Sequence, residues 1–112
     1  MITKVYVADN FINRLLGLLG REKLQSNEAL LISKCNSIHT FFMKYTIDVL
    51  FLDIDFNVVG IERNIQPGHV SKIYKKAFYV LELLPEADEF SINQNMEWLH
   101  HHVGEGLTNE KH

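Results

Sequence analysis

The stretch TIDVLFLDIDFNVVGIERNI, residues 46–65, decides how this chain folds. Thr46 to Asp53 and Val58 to Ile65 are rich in β-branched and aromatic side chains, which suit a pleated, half-buried backbone. Between them, DIDFN (53–57) carries short polar side chains that bond to their own backbone and bend it. The segment reads as two strands joined by a tight turn, with Asn57 as the residue that tolerates left-handed geometry. Asp53-x-Asp55-x-Asn57 also imitates the opening of a calcium loop. That loop needs glycine at its sixth position and glutamate at its twelfth, and here those are Val58 and Asn64, so a turn is the better reading.

Outward from this hairpin, residues 2–7 (ITKVYV), 29–34 (ALLISK) and 77–84 (AFYVLELL) read as strands, and 91–99 holds room for a last short one. Gln66-Pro67-Gly68 and Pro85 supply the breaks. Residues 10–20 have helical spacing instead. Phe11, Leu15 and Leu18 line up beside Ile12, Leu16 and Leu19, after an N-cap at Asp9 or Asn10 and before a stop at Gly20. Gly17 within that helix predicts close approach to a sheet. Turn-rich connections favour a mixed or antiparallel arrangement over a doubly wound one. The expected fold is α+β and mostly β: about six short strands in a small curled sheet or barrel, with one N-terminal helix packed on it. Residues 1–99 form the expected domain and 100–112 a polar tail.

Composition bounds the partners. With 112 residues, 46% hydrophobic and 22% charged, the chain suits one ordinary globular domain. Its net charge of −3 lacks the basic excess of a nucleic-acid binder, and only Lys72, Lys75 and Lys76 cluster. The single cysteine, Cys35, rules out an intramolecular disulfide. No signal peptide is visible before the first strand, and no apolar run is long enough to span a bilayer. A cytoplasmic protein with no membrane or nucleic-acid partner and no cofactor is expected.

Two carboxylates break the apolar pattern. Glu82 shares a strand face with Phe78, Val80 and Leu84, and Asp48 shares one with Thr46, Leu50 and Leu52. Buried acids must be paired, hydrogen-bonded or protonated. The available cations are Arg14, Arg21 and Lys44. One reading is a structural ion pair, such as Arg14 with Glu82, bracing helix against sheet. The other is a pocket rimmed by Arg14, Lys44, Asp48 and Glu82.

The preceding segment, CNSIHTFFMKY (35–45), places Cys35, His39 and Met43 four apart, in the order of a blue-copper loop. Such a site needs a second histidine upstream, and none precedes His39. Core-filling Cys35 and Met43 are the plainer reading. His100-His101-His102 cannot easily close a metal site alone, so no metal is expected. Cys35 with His39, oriented by Asp48 or Glu82, would make a thiolate–imidazole pair, though no protease or transferase signature surrounds them.

Taken in order, RLLGLLGRE (14–22), EALLI (28–32), SIHTFFMKYTIDVLFLDIDFNVVGI (37–61), QPG (66–68) and YVLELL (79–84) resemble the family known as domain of unknown function 192. The likeness covers roughly residues 3–99. By position it touches Arg14, Gly17, Leu18, Gly20, Arg21, Phe42, Met43, Lys44, Thr46, Asp48, Asp53, Pro67, Leu81 and Glu82. It implies a compact β-rich barrel with one helix and no established activity. Many relatives look exported. Departures fall mostly in turns: Phe42 stands where tryptophan is usual, and Phe56 replaces the hairpin glycine.

The resulting expectation is a small, non-enzymatic binding or accessory domain. Walls from the aromatic Phe41, Phe42 and Tyr45 and from Met43 would flank polar contacts from Arg14, Arg21, Lys44, Asp48 and Glu82, suiting a small polar ligand or a peptide end. The alternatives are a hydrolase or transferase built on Cys35 and His39, with catalytic residues otherwise unknown, and a structural partner in a larger complex.

Overall fold

In the computed structural model, which describes residues 1–9, 24–41 and 43–102, five strands form one mixed sheet. They are β1 (Lys4–Ala8), β2 (Glu28–Ser33), β3 (Ile47–Leu52), β4 (Val58–Ile65) and β5 (Tyr79–Leu83), in the spatial order β1-β2-β5-β3-β4. β1 runs parallel to β2, and every other neighbouring pair is antiparallel. The expected helix at 10–20, with Arg14, Gly17 and Arg21, lies outside the described residues, as does Phe42.

The central strands explain the long apolar runs. β3 and β5 are buried at every position and β2 at all but its first residue. A strand covered on both faces needs no polar alternation. On one face Val7, Ala29, Leu31, Leu50, Leu52, Leu81 and Leu83 pack beneath Phe56, Val58, Met96 and Leu99. On the other, Leu30, Ile32, Ile47, Val49, Phe51 and Val80 pack beneath Cys35 and Ile38, with Met43, Tyr45 and Tyr74 against them. The chain that follows β5 covers the first face, and the loops after β2 and β4 cover the second.

The sheet is open, not the barrel that the sequence suggested. β1 and β4 are its two edges, and closure would need them to pair. The expected sixth strand in 91–99 shrinks to a bridge between Asn57 and Asn95, supported by Val58 N–H to Gln94 O (2.8 Å) and Asn93 N–H to Val58 O (2.9 Å). Ser91-Ile92-Asn93-Gln94-Asn95 has little β propensity. Asn93 turns left-handed at φ 70°, and residues 99–102 are helical.

The β3–β4 turn forms where expected, but Phe56 and not Asn57 takes the left-handed conformation, at φ 66°. That conformation costs a non-glycine residue about 1–2 kcal/mol. Burial offsets the cost: Phe56 is nearly inaccessible and stacks on Tyr79 with ring centroids 4.5 Å apart. The Asp53 carboxylate shapes the turn, accepting from Asp55 N–H (2.9 Å), Asn57 N–H (2.9 Å) and the Asn57 side chain (3.2 Å). Partial burial opposes its ionisation, yet these donors win and hold its pKa below the ordinary value of 3.8. The Asp53 and Asn57 side chains of the calcium imitation are thus occupied in making the turn, to which Asp55 contributes its backbone N–H.

Candidate functional site

Asp48 and Glu82 are buried, as the alternation implied, but they occupy opposite faces of the sheet. Asp48 pairs with Leu83 across the strands, and Glu82 pairs with Val49 and Leu30. Residues that pair share a face, so the two acids are separated by the sheet itself.

Asp48 is met by the adjacent strand. Between Ile47 and Val49 the register with β4 shifts, so that Arg63 and Asn64 bulge out of the ladder. Asn64 adopts φ 54° there, and its N–H donates to Asp48 Oδ1 at 2.8 Å. The Arg63 guanidinium bridges Asp48 Oδ2 at 3.4 Å and the carbonyl of Phe90 at 3.2 Å. The buried carboxylate is therefore a clasp that satisfies a bulge and ties in the chain after β5. Arg63 and Asn64 were not among the expected partners. The signal for them lay in Asn64, a residue type enriched in left-handed geometry and placed late in a strand.

Glu82 sits at the centre of the second face, 1% exposed, and is not left without a partner. Lys44 is exposed, and Met43 packs partly against the second core. Arg14, Arg21 and Phe42 lie outside the described residues.

The loop after β2 is densely hydrogen-bonded. Its backbone is laced to the segment after β4 (residues 66–78). Cys35 N–H donates to Phe78 O (3.1 Å), Tyr74 N–H to Asn36 O (2.9 Å), Ser71 N–H to Ile38 O (2.8 Å) and Thr40 N–H to His69 O (2.7 Å). Side chains complete the lacing. Ile38 N–H donates to Ser71 Oγ (2.9 Å), while buried Thr40 donates its hydroxyl to Gln66 O (2.7 Å) and accepts from His69 N–H (2.8 Å). Thr40 therefore reinforces the short antiparallel bridge between His39 and Val70 with one side chain that works in both directions.

This laced pair of loops borders a groove of ≈ 350 Å³ lined by Lys34, Cys35, Asn36, Ser37, Ile38, His39, Phe41 and Val70. His39 stacks on Phe41 with centroids 4.6 Å apart. Its Nδ1 accepts from Phe41 N–H at 3.3 Å, which assigns the ring proton of neutral His39 to Nε2. Cys35 is 7% exposed, and its thiol donates to Ser37 O at 3.0 Å. A donating sulfur is a protonated one, whereas the nucleophile and metal ligand is the thiolate. No group of three or more metal-ligating side chains converges among the described residues, and no helix among them is long and apolar enough to cross a membrane.

Comparison with known proteins agrees with this architecture. Residues 1–97 match the model of the family described as Uncharacterized ACR, COG1430. A UPF0127 protein of Pyrococcus horikoshii is 35% identical over 70% of each chain, and one of Pyrococcus abyssi is 32% identical over 86% of each. The fold resembles the 1.22 Å crystal structure of a protein of unknown function from Novosphingobium aromaticivorans DSM 12444, with a TM-score of 0.61 at 18% identity. That match covers 72% of this chain and 62% of the other. The family match and the relatives agree: the chain belongs to the domain of unknown function 192 family, whose curated relatives carry the name UPF0127.

Proposed function

We propose that this protein is a small non-enzymatic binding domain, and that its recognition surface is the groove beside residues 34–41. The observation that carries this reading is a concave site of ≈ 350 Å³, framed by laced loops, with apolar walls (Ile38, Phe41, Val70) and a few polar groups (Lys34, Asn36, Ser37, His39). That combination is the usual composition of a small-ligand site. Met43 and Lys44, close to Phe41 in the sequence, and Arg14, Arg21 and Phe42 remain further candidate contacts read from the sequence alone. The buried, hydrogen-bonded thiol of Cys35 supports binding over nucleophilic chemistry.

The test is a heteronuclear NMR titration with short peptides and single amino acids. Ligand-dependent shifts concentrated at 34–41 and 69–71, and lost in Phe41→Ala, are the expected result. Shifts spread evenly over the sheet, or none with any peptide, would remove the assignment.

A further inference from the structure

We propose that the groove takes the C-terminal carboxylate of a peptide whose last side chain is apolar. This rests on the binding reading above and names the ligand class of that site. Charge complementarity is the first argument. Among the described residues, the lining carries one cation, Lys34, and no acidic side chain. The hydrogen bonds from Ser71, Tyr74 and Cys35 lay residues 71–78 along the same loop, which brings exposed Lys72, Lys75 and Lys76 to this end of the molecule. Glu62, which reaches that segment, accepts at Oε2 from Tyr74 Oη–H (2.9 Å) and Lys72 N–H (3.1 Å); its negative charge offsets one of these four lysines and leaves the other three. A protein of net charge −3 thus presents a locally positive end.

Backbone geometry is the second argument. Lys34 holds φ 55°, a conformation that glycine or asparagine would adopt more cheaply, yet a lysine lines the groove there. The third is the apolar wall. Phe41 and Val70 are 43% and 67% exposed, so an apolar side chain laid between them removes surface from water on both partners. A site of this volume holds about one or two residues, which suits a chain end better than a passing strand.

The experiment compares acetyl-alanyl-leucine as the free acid, the same peptide as its C-terminal amide, and 4-methylpentanoate, each titrated into the full chain and followed by NMR. The free acid binds about fivefold tighter than the amide, the discrimination expected of one exposed ion pair. Lys34→Asn, a residue at ease in the left-handed region, abolishes that ratio without unfolding the protein. Phe41→Ala weakens acid and amide alike. Raising the salt concentration shrinks the preference for the acid. Equal affinity of acid and amide overturns the carboxylate assignment while leaving the groove a binding site. Equal affinity of 4-methylpentanoate and the peptide acid overturns the peptide and leaves a simple carboxylic acid. Absence of binding by all three overturns the binding reading itself.

Discussion

Gly60 offers the sharpest test of how the second face is packed. It lies opposite Phe51 on β3, and a Cβ built on it would fall 2.3 Å from Cε2 and 2.4 Å from Cδ2 of Tyr74. Carbon atoms in contact prefer roughly 3.5–4.0 Å, so the ring would have to retreat by about 1 Å or more. It is not free to do so. It stacks on Phe51 with centroids 4.0 Å apart, and its hydroxyl donates to Glu62 at 2.9 Å. Loss of the stack costs about 0.5–1.5 kcal/mol, and loss of the hydrogen bond about 1 kcal/mol. Against this, alanine recovers about 0.5–1 kcal/mol of glycine's backbone entropy. The φ of Gly60 is not positive, so the backbone itself accepts a side chain. Gly60→Ala is therefore expected to destabilise the fold by about 0.5–2 kcal/mol. In urea denaturation followed by circular dichroism that is a midpoint lowered by up to about 1 M. In a Tyr74→Ala background the same change should be neutral or slightly stabilising. A Gly60→Ala midpoint at or above the parent's would refute the packing argument. Equal losses in both backgrounds would show that the ring is not the obstacle.

Two further outcomes follow from the carboxylates. Asp48→Ala removes the charged acceptor of the Asn64 N–H and releases Arg63, and should cost about 1–3 kcal/mol. Arg63→Ala, removing a side chain that is 44% exposed, should cost well under that, and matching losses in the two urea midpoints would contradict the clasp. Asp53 titrates below its unfolded value, so its stabilising contribution is present above the ordinary carboxylate range and disappears as pH falls through the folded value, below 3.8. The stability difference between the parent and Asp53→Ala should accordingly narrow in acid, and a difference unchanged from neutral pH to strong acid would exclude the carboxylate's role in the turn.

The strands were legible because their signals are local. Apolar, β-branched runs marked β2, β3, β4 and β5 to within two residues, and the Asp53–Asn57 turn announced itself through side chains that bond to their own backbone. Burial of Asp48 and Glu82 was legible too, since alternation alone places a side chain among its same-face neighbours. What alternation could not say was which face is which. Asp48 and Glu82 each follow from the period of its own strand, but their separation depends on the register between strands, and one residue of slip would exchange the faces.

The partners were harder to foresee for the same reason. Arg63 reaches Asp48 only because β4 bulges at Asn64, and a bulge is a mismatch between two strands, not a property of either. The choice of Phe56 over Asn57 for the left-handed position was likewise tertiary, because the stack on Tyr79 outweighs an intrinsic preference of a kilocalorie or so. Closure into a barrel would have required pairing between edges that the chain places at opposite ends of the sheet. Sequence by itself determined that this is a β-rich domain with acids set among apolar strands. Only the tertiary structure decided its open sheet, its clasp and the groove beside residues 34–41, because each of those depends on distances between segments far apart along the chain.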